Sequence, residues 1–419
     1  MQNTKYLIVG AGISGLTFAN YCNGDYLIVE KENEPGGYCR TIRKGDFVWD
    51  YAGHFFHFKT EELKKRFIES LDESQYVFKE KKTYIYYKGK LIDYPFQMNI
   101  HQLEKDEFID CLYDLFNKEE KEDYNSFLEM LYGKFGKSIT EKFLKPYNEK
   151  LYACDLGKLD KDAMGRFFPY ADKEAIIKNM KTSANASYNS YFFYPKSGAE
   201  FIIDNLMSKV DSTKLLLNTS VRSIDPDNKT ALLSNGEEIH YEYLINSTPF
   251  NVLLGLVGND VLADKLTYNK LLVFNLGFNR KSEYNQQHWI YYPDKAINFY
   301  RAGFYDNIIG TDKLSMYIEI GYPKDAVIDQ EEIDRQLQLT LEGLKKTSVI
   351  DESFKLEEHV ALLMDPAYVH INYETNEEVK QTMNDLHSNN IYSIGRYGGW
   401  TYCSMEDCML EAINLAEKI

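Results

Sequence analysis

At 419 residues the chain can bury a cofactor and suits either one composite unit or two to three domains. A hydrophobic share of 44% against 27% charged residues excludes a largely disordered chain. A net charge of -16 excludes the dense basic face that nucleic acid demands, so an anionic substrate would have to meet a few placed arginines.

Thirty-four tyrosines and 24 phenylalanines leave two readings level: aromatic-lined pockets, or a biased composition whose rings fill the core. No apolar run is long enough to span a bilayer, and the opening MQNTKYLIVGAGISG lacks a signal-peptide pattern, so a cytoplasmic location is expected. Cys22, Cys39, Cys111, Cys154, Cys403 and Cys408 show no paired spacing and no accompanying histidine pattern. Buried free thiols are expected rather than a metal site or a disulfide framework.

In chain order, Tyr6–Val9 reads as a buried parallel strand that ends in glycines, a helix follows over Ile13–Cys22, and Tyr26–Val29 is a second strand stopping at Glu30. Residues 60–190 read as mainly helical, interrupted by a strand pair in TYIYYKGKLIDYPF. Strand texture returns from Phe193, through KLLLNTSVRSI and EIHYEYLINSTP, and continues in KLLVFNLGF, INFYRAGF and LSMYIEIGY, with a helix at EEIDRQLQLTLEGLKK. The end, NNIYSIGRYGGW and then MEDCMLEAINLAEKI, is strand, glycine turn and helix. The expected architecture is α/β. A Rossmann-like dinucleotide-binding domain is assembled from 1–60, 193–246 and 385–419, with a helical insertion at 61–192 and an antiparallel-sheet substrate domain at 247–384.

Gly10-Ala11-Gly12-Ile13-Ser14-Gly15 carries the first chemistry, because it follows a strand, opens a helix and precedes an acidic strand end. The first glycine allows the turn, the second lets backbone approach a pyrophosphate held by helix N-terminal amides, and the third lets helix and strand pack. Glu30 is placed to accept the ribose hydroxyls.

The next run, Glu34-Pro35-Gly36-Gly37-Tyr38-Cys39-Arg40-Thr41, resembles the second glycine motif of flavoproteins related to amine oxidases and protoporphyrinogen oxidase. Asp50-Tyr51-Ala52-Gly53-His54-Phe55-Phe56-His57 is similar to the flavin-contacting segment of the UDP-galactopyranose mutases. On residues alone, two histidines three apart could equally cap a strand or steady a turn. The resemblance implies FAD in a GR2-type flavoprotein fold, contacted by Gly37, Arg40, Gly53 and His57, and extends the cofactor set to Ile13, Ser14, Lys31, Tyr38, His54, Val221 and Trp400.

Further matches follow in the family's order. Tyr94-Pro95-Phe96-Gln97-Met98-Asn99 resembles a segment that places Gln97 near substrate. Phe143 to Tyr152 resembles a uridine-binding motif in which Phe143, Tyr147 and Asn148 match, while Tyr152 stands where the family has Trp. Stacking of a base on such a ring is worth about 1–3 kcal/mol.

Arg166, in Met164-Gly165-Arg166-Phe167, and Arg301, in Asn298-Phe299-Tyr300-Arg301-Ala302, resemble the diphosphate-binding arginines. A guanidinium bridges phosphate oxygens through parallel hydrogen bonds, although an arbitrary arginine more often makes a surface salt bridge. Gly395-Arg396-Tyr397-Gly398-Gly399-Trp400-Thr401-Tyr402 looks like the last FAD motif, with Arg396 on FAD and Tyr402 reaching both cofactor and substrate phosphates. Tyr368 is read either as a second such tyrosine or as core packing. The family's next polar position falls on Ser404, Glu406 or Asp407.

The activity implied by the resemblance is the interconversion of UDP-galactopyranose and UDP-galactofuranose, or of a related nucleotide sugar. Reduced FAD would attack the anomeric carbon through N5, with Arg301, Arg166 and His57 nearest the reaction and NAD(P)H as transient reductant. A homodimer and a part in surface-polysaccharide synthesis come with the same resemblance. The alternatives are an oxidase of the amine-oxidase or protoporphyrinogen-oxidase type and a non-catalytic FAD-holding protein.

Overall fold

A computed structural model describes residues 2–69, 71–181 and 190–419. Residues 182–189, part of the stretch expected to be mainly helical, lie outside the described residues.

The Tyr6–Val9 run forms the last half of the strand Gln2–Val9. It pairs in parallel with Tyr26–Val29 on one side and Glu238–Asn246 on the other, and Leu215–Leu216 and Ile391–Ser393 extend the parallel sheet at its two sides. The hairpin strands Val221–Asp225 and Thr230–Leu233 attach antiparallel to the start of Glu238–Asn246. Register brings Val9, Val29, Asn246 and Ser393 side by side, so the strands' carboxyl ends finish at one edge. That edge is where open α/β sheets bind ligands.

Where both faces of this sheet are covered, Tyr6–Val9 and Tyr26–Val29 are apolar throughout, whereas the first half of Glu238–Asn246 alternates between exposed and buried positions. Leu16, Phe18, Ile202, Met409 and Ala412, from the helices Ile13–Tyr21, Glu200–Met207 and Met405–Lys418, fill one face. Leu253, Leu254 and Leu386, from Phe250–Leu256 and Asn376–Ser388, fill the other.

The second large sheet has seven strands and is antiparallel except where Trp289–Tyr291 runs parallel to Thr83–Tyr87. Its centre is Tyr268–Phe278, Ser315–Pro323 and Arg301–Phe304. Gln330–Lys346 contributes Leu344 to the core on one face. The other face meets an aromatic core shared with Phe127–Ile139 and Lys145–Tyr152. The mixed α/β architecture read from the sequence is therefore the one observed. No described helix is long and apolar enough to cross a membrane.

Candidate functional site

A cleft of about 810 Å³ opens between the carboxyl edge of the parallel sheet and the inner face of the seven-stranded sheet. The glycine loop forms its floor. Gly10 has φ +99°, and a Cβ there would stand 2.6 Å from Ser247 Oγ. A Cβ on Gly15 would fall 2.1 Å from the Gly10 carbonyl oxygen, so this glycine serves helix–strand packing. Gly12 has open space where its Cβ would be and caps the helix Ile13–Tyr21, leaving the first-turn amides facing a free volume.

Glu30 lines the cleft and is nearly buried. One of its carboxylate oxygens accepts Ala11 N–H at 2.7 Å and the other accepts Glu32 N–H at 3.0 Å. The acid thus braces the glycine loop from within the cleft. Ile13, Ser14, Lys31, Gly37, Tyr38, Arg40, Gly53, His54, Val221 and Arg396 also line the cleft.

Arg40 donates to Gly37 O at 2.8 Å and lies 4.8 Å from the Tyr51 ring centre. A Cβ on Gly53 would meet Tyr317 Oη at 2.5 Å, so only glycine lets that tyrosine reach the wall. Burial pushes His54 down to about 4, and it is neutral at ordinary pH.

The cleft fits a large dinucleotide cofactor: its floor is a glycine-lined anion cradle, and the buried Nε of half-buried Arg396 has no hydrogen-bond partner among the described residues. The Arg396 guanidinium lies 4.9 Å from the Tyr368 ring and 4.7 Å from that of Tyr402.

Three other expected cofactor contacts fall outside the cleft lining. His57 holds Tyr191 O through Nδ1 at 2.9 Å. Trp400 packs edge-on against Tyr268. Tyr402 stacks behind Tyr368 at 5.8 Å, its hydroxyl pushed up to about 12 by burial.

Arg301 stands on the opposite wall. Strand register sets it between Tyr291 on one neighbouring strand and Glu319 on the other. Its Nε and Nη2 each donate to one Glu319 oxygen at 2.5 Å. Burial works most strongly against the charge, but the fully buried Glu319 carboxylate, together with Tyr317, Tyr368 and Tyr300, outweighs that cost and holds the guanidinium protonated.

Arg166 sits outside the lining, ion-paired with Asp407, with Phe167 edge-on to Tyr402 at 5.0 Å. The three candidates for the family's last position separate. Ser404 lines the cleft and caps the terminal helix, Asp407 completes that capping box and meets Arg166, and Glu406 is buried on the Lys59 and Thr60 amides.

The expected base-binding residues lie in the adjoining aromatic core rather than on the cleft wall. Phe143 stacks on Tyr147 at 5.2 Å, and Tyr147 meets Tyr291 edge-on at 4.9 Å. Asn148 Nδ2 donates to Leu144 O at 2.6 Å, and Gln97 Nε2 donates to Pro169 O. Tyr152 is buried 6.2 Å from Tyr368. The hydroxyls of Tyr152, Tyr300 and Tyr317 and the side-chain oxygens of Gln97 and Asn148 have no partner among the described residues.

Motif reading missed Glu319 and Tyr317. Their signal was an acid two residues from a tyrosine in the apolar run SMYIEIGY, which puts both on the strand face that carries Arg301.

A glycine-loop cradle at the carboxyl edge of a parallel sheet, facing an arginine-bearing antiparallel sheet, defines a two-sheet dinucleotide-binding flavoprotein fold. A family model described as flavin containing amine oxidoreductase matches residues 13–419, and the chain belongs to that family. Its flavin is the cofactor the cleft fits.

Among solved structures, the chain is similar to reduced UDP-galactopyranose mutase, with TM-score 0.90 and 24% identity over 100% of this chain and 94% of that one. It is also similar to a candidate protoporphyrinogen oxidase from an Exiguobacterium species, with TM-score 0.75 and 14% identity over 99% and 98%. A redesigned putrescine oxidase follows, with TM-score 0.69 and 12% identity over 100% and 99%. At these identities the likenesses show a shared fold.

Proposed function

We propose that the chain is a flavin-dependent nucleotide-sugar mutase that interconverts UDP-galactopyranose and UDP-galactofuranose or a closely related pair. The observation that carries this reading is the pair of guanidiniums, Arg301 and Arg396, on the walls of one cleft, with Glu319 as the acid between the strands. An amine substrate would meet the Arg301 guanidinium on that wall instead of a free carboxylate, because both Glu319 oxygens are engaged by Arg301. A nucleoside diphosphate would meet the Arg301 guanidinium, while Arg396 faces it from the cofactor side.

FAD, when bound in its reduced form, supplies the nucleophile toward the anomeric carbon, with NAD(P)H as transient reductant. The glycine loop from Gly10 to Gly15 holds its pyrophosphate, with Glu30 and Lys31 at the ribose, Val221 beyond it, and Gly37, Tyr38, Arg40, Gly53, His54, His57, Arg396 and Trp400 along the remainder.

On the substrate side, Arg301 and Arg166 neutralise the departing diphosphate and keep it beside the sugar for return. Tyr402, protonated well beyond neutral pH, donates from its hydroxyl, and Tyr368 stacks beside it. Gln97, Phe143, Tyr147, Asn148 and Tyr152 back the base and ribose position from the adjoining aromatic core, and the smaller ring of Tyr152 shifts which base fits. A cytoplasmic location, a homodimer and a part in polysaccharide synthesis belong to the same proposal.

The second reading, a flavin oxidase, is favoured by the family itself. Melting curves separate them: UDP stabilises a mutase by an amount that grows with the logarithm of its concentration above Kd, as a ligand of the native state must, and Arg301→Lys removes most of that shift. An absence of any UDP shift, together with oxygen consumption on adding an amine or a porphyrinogen, would overturn the proposal.

A further inference from the structure

Cys403 and Cys408 flank the start of the terminal helix. Ser404 is its N-cap and Asp407 closes the capping box, so Cys403 and Cys408 occupy the flanking pair of positions whose side chains meet across a helix start. Their sulfurs are 3.5 Å apart, both residues line the cofactor cleft, and both are free thiols.

We propose that Cys403 and Cys408 are a modification site, a dithiol that closes to a disulfide on the cleft wall when a hydroperoxide oxidises it. Cys408 is the attacking sulfur. The Cys403 thiol donates to it, and although burial opposes the charge, the Arg396 backbone N–H and the Ser14 hydroxyl add to that donation and hold Cys408 below the ordinary thiol range. The thiolate is the nucleophile.

The Cys408 sulfur displaces hydroxide from hydrogen peroxide, breaking the O–O bond and forming a sulfenic acid. The Cys403 sulfur then attacks that sulfenic sulfur, the S–O bond breaks, and water leaves with the Cys403 proton. In sum, two thiols lose two electrons and two protons, and one peroxide becomes two waters. The sulfurs have roughly 1.5 Å to close to reach a bond of about 2.05 Å. The link would fix the segment between Tyr402, which stacks on Tyr368, and Asp407, which pairs with Arg166.

The test treats flavin-loaded protein with a small excess of hydrogen peroxide, blocks remaining thiols by alkylation, and maps peptides by mass without reduction. The expected product is a Cys403–Cys408 disulfide that dithiothreitol reverses, with Cys22 and Cys154 still alkylated. In Cys403→Ser, dimedone should label Cys408. Three results would each overturn the assignment: both thiols remaining alkylatable, a link through Cys39, whose sulfur lies 3.7 Å from Met405 Sδ, or direct conversion to sulfonic acid without a link.

Discussion

Arg301 illustrates what a residue-level reading can and cannot see. Its surrounding run, Phe299-Tyr300-Arg301-Ala302, was legible as a phosphate-binding pattern, but the carboxylate that orients it lies 18 positions away and becomes its neighbour only through strand register. A buried ion pair loses about 3–5 kcal/mol when one partner is removed, because the other charge is left uncompensated. Glu319→Gln is therefore expected to lower the melting temperature while tightening UDP binding, since the guanidinium loses its internal counter-ion. Calorimetric titration beside a melting curve checks both signs, and weaker UDP binding would count against the assigned role.

Gly53 is a second case: its motif was visible, but the reason for glycine was not. An added methyl would strike Tyr317 Oη. Gly53→Ala should purify with less flavin, as read from the ratio of flavin to protein absorbance.

At the scale of elements, the strands and helices of the parallel-sheet half were legible because a buried strand ending in glycine leaves a strong local signal. The 14-residue strand Leu356–Val369 was not singled out. It forms one edge of its sheet, its outer half alternates exposed Glu357 and His359 with half-buried Glu358 and Val360, and it carries Pro366, which an edge strand tolerates.

The residues expected from the motif to bind the base show the opposite limit. Phe143, Tyr147 and Asn148 were legible as a run, but packing sets them in an aromatic core beside the cleft, a tertiary fact no run encodes. At the terminal helix, Ser404→Ala removes the cap that accepts Asp407 N–H. It should cost about 1 kcal/mol of stability, and chemical denaturation measures it.

For the whole molecule, the buried titratable groups set how stability follows pH. Burial pushes His54, His57, His288 and His370 from 6.5 down to about 4. With folded values depressed, their contribution is full above about 6.5 and is lost as pH falls toward 4. Asp50 and Asp306, raised by burial from 3.8 to about 6 and about 7, run the other way. Their contribution is full below 3.8 and is lost as pH rises through 6 to 7. The melting temperature is expected to fall between pH 6.5 and 4, histidines outnumbering these acids. Asp306→Asn should raise it more at pH 8 than at pH 5, and the reverse order would show that the carboxylate is not the buried group described.

Composition raised the question of what so many aromatic residues do. In this molecule Tyr38, Tyr51, Tyr268, Tyr368 and Tyr397 line the cleft while Tyr147, Tyr291, Tyr300 and Tyr317 back it. The most direct measurement on the central proposal is sugar-ring conversion under strict control of the flavin's redox state. Flavin-loaded protein, reduced with dithionite without oxygen, is incubated with UDP-galactofuranose and the nucleotide sugars are separated by chromatography. UDP-galactopyranose should accumulate only in the reduced sample. No conversion in either state, with hydrogen peroxide released from an amine or porphyrinogen in air, would contradict it.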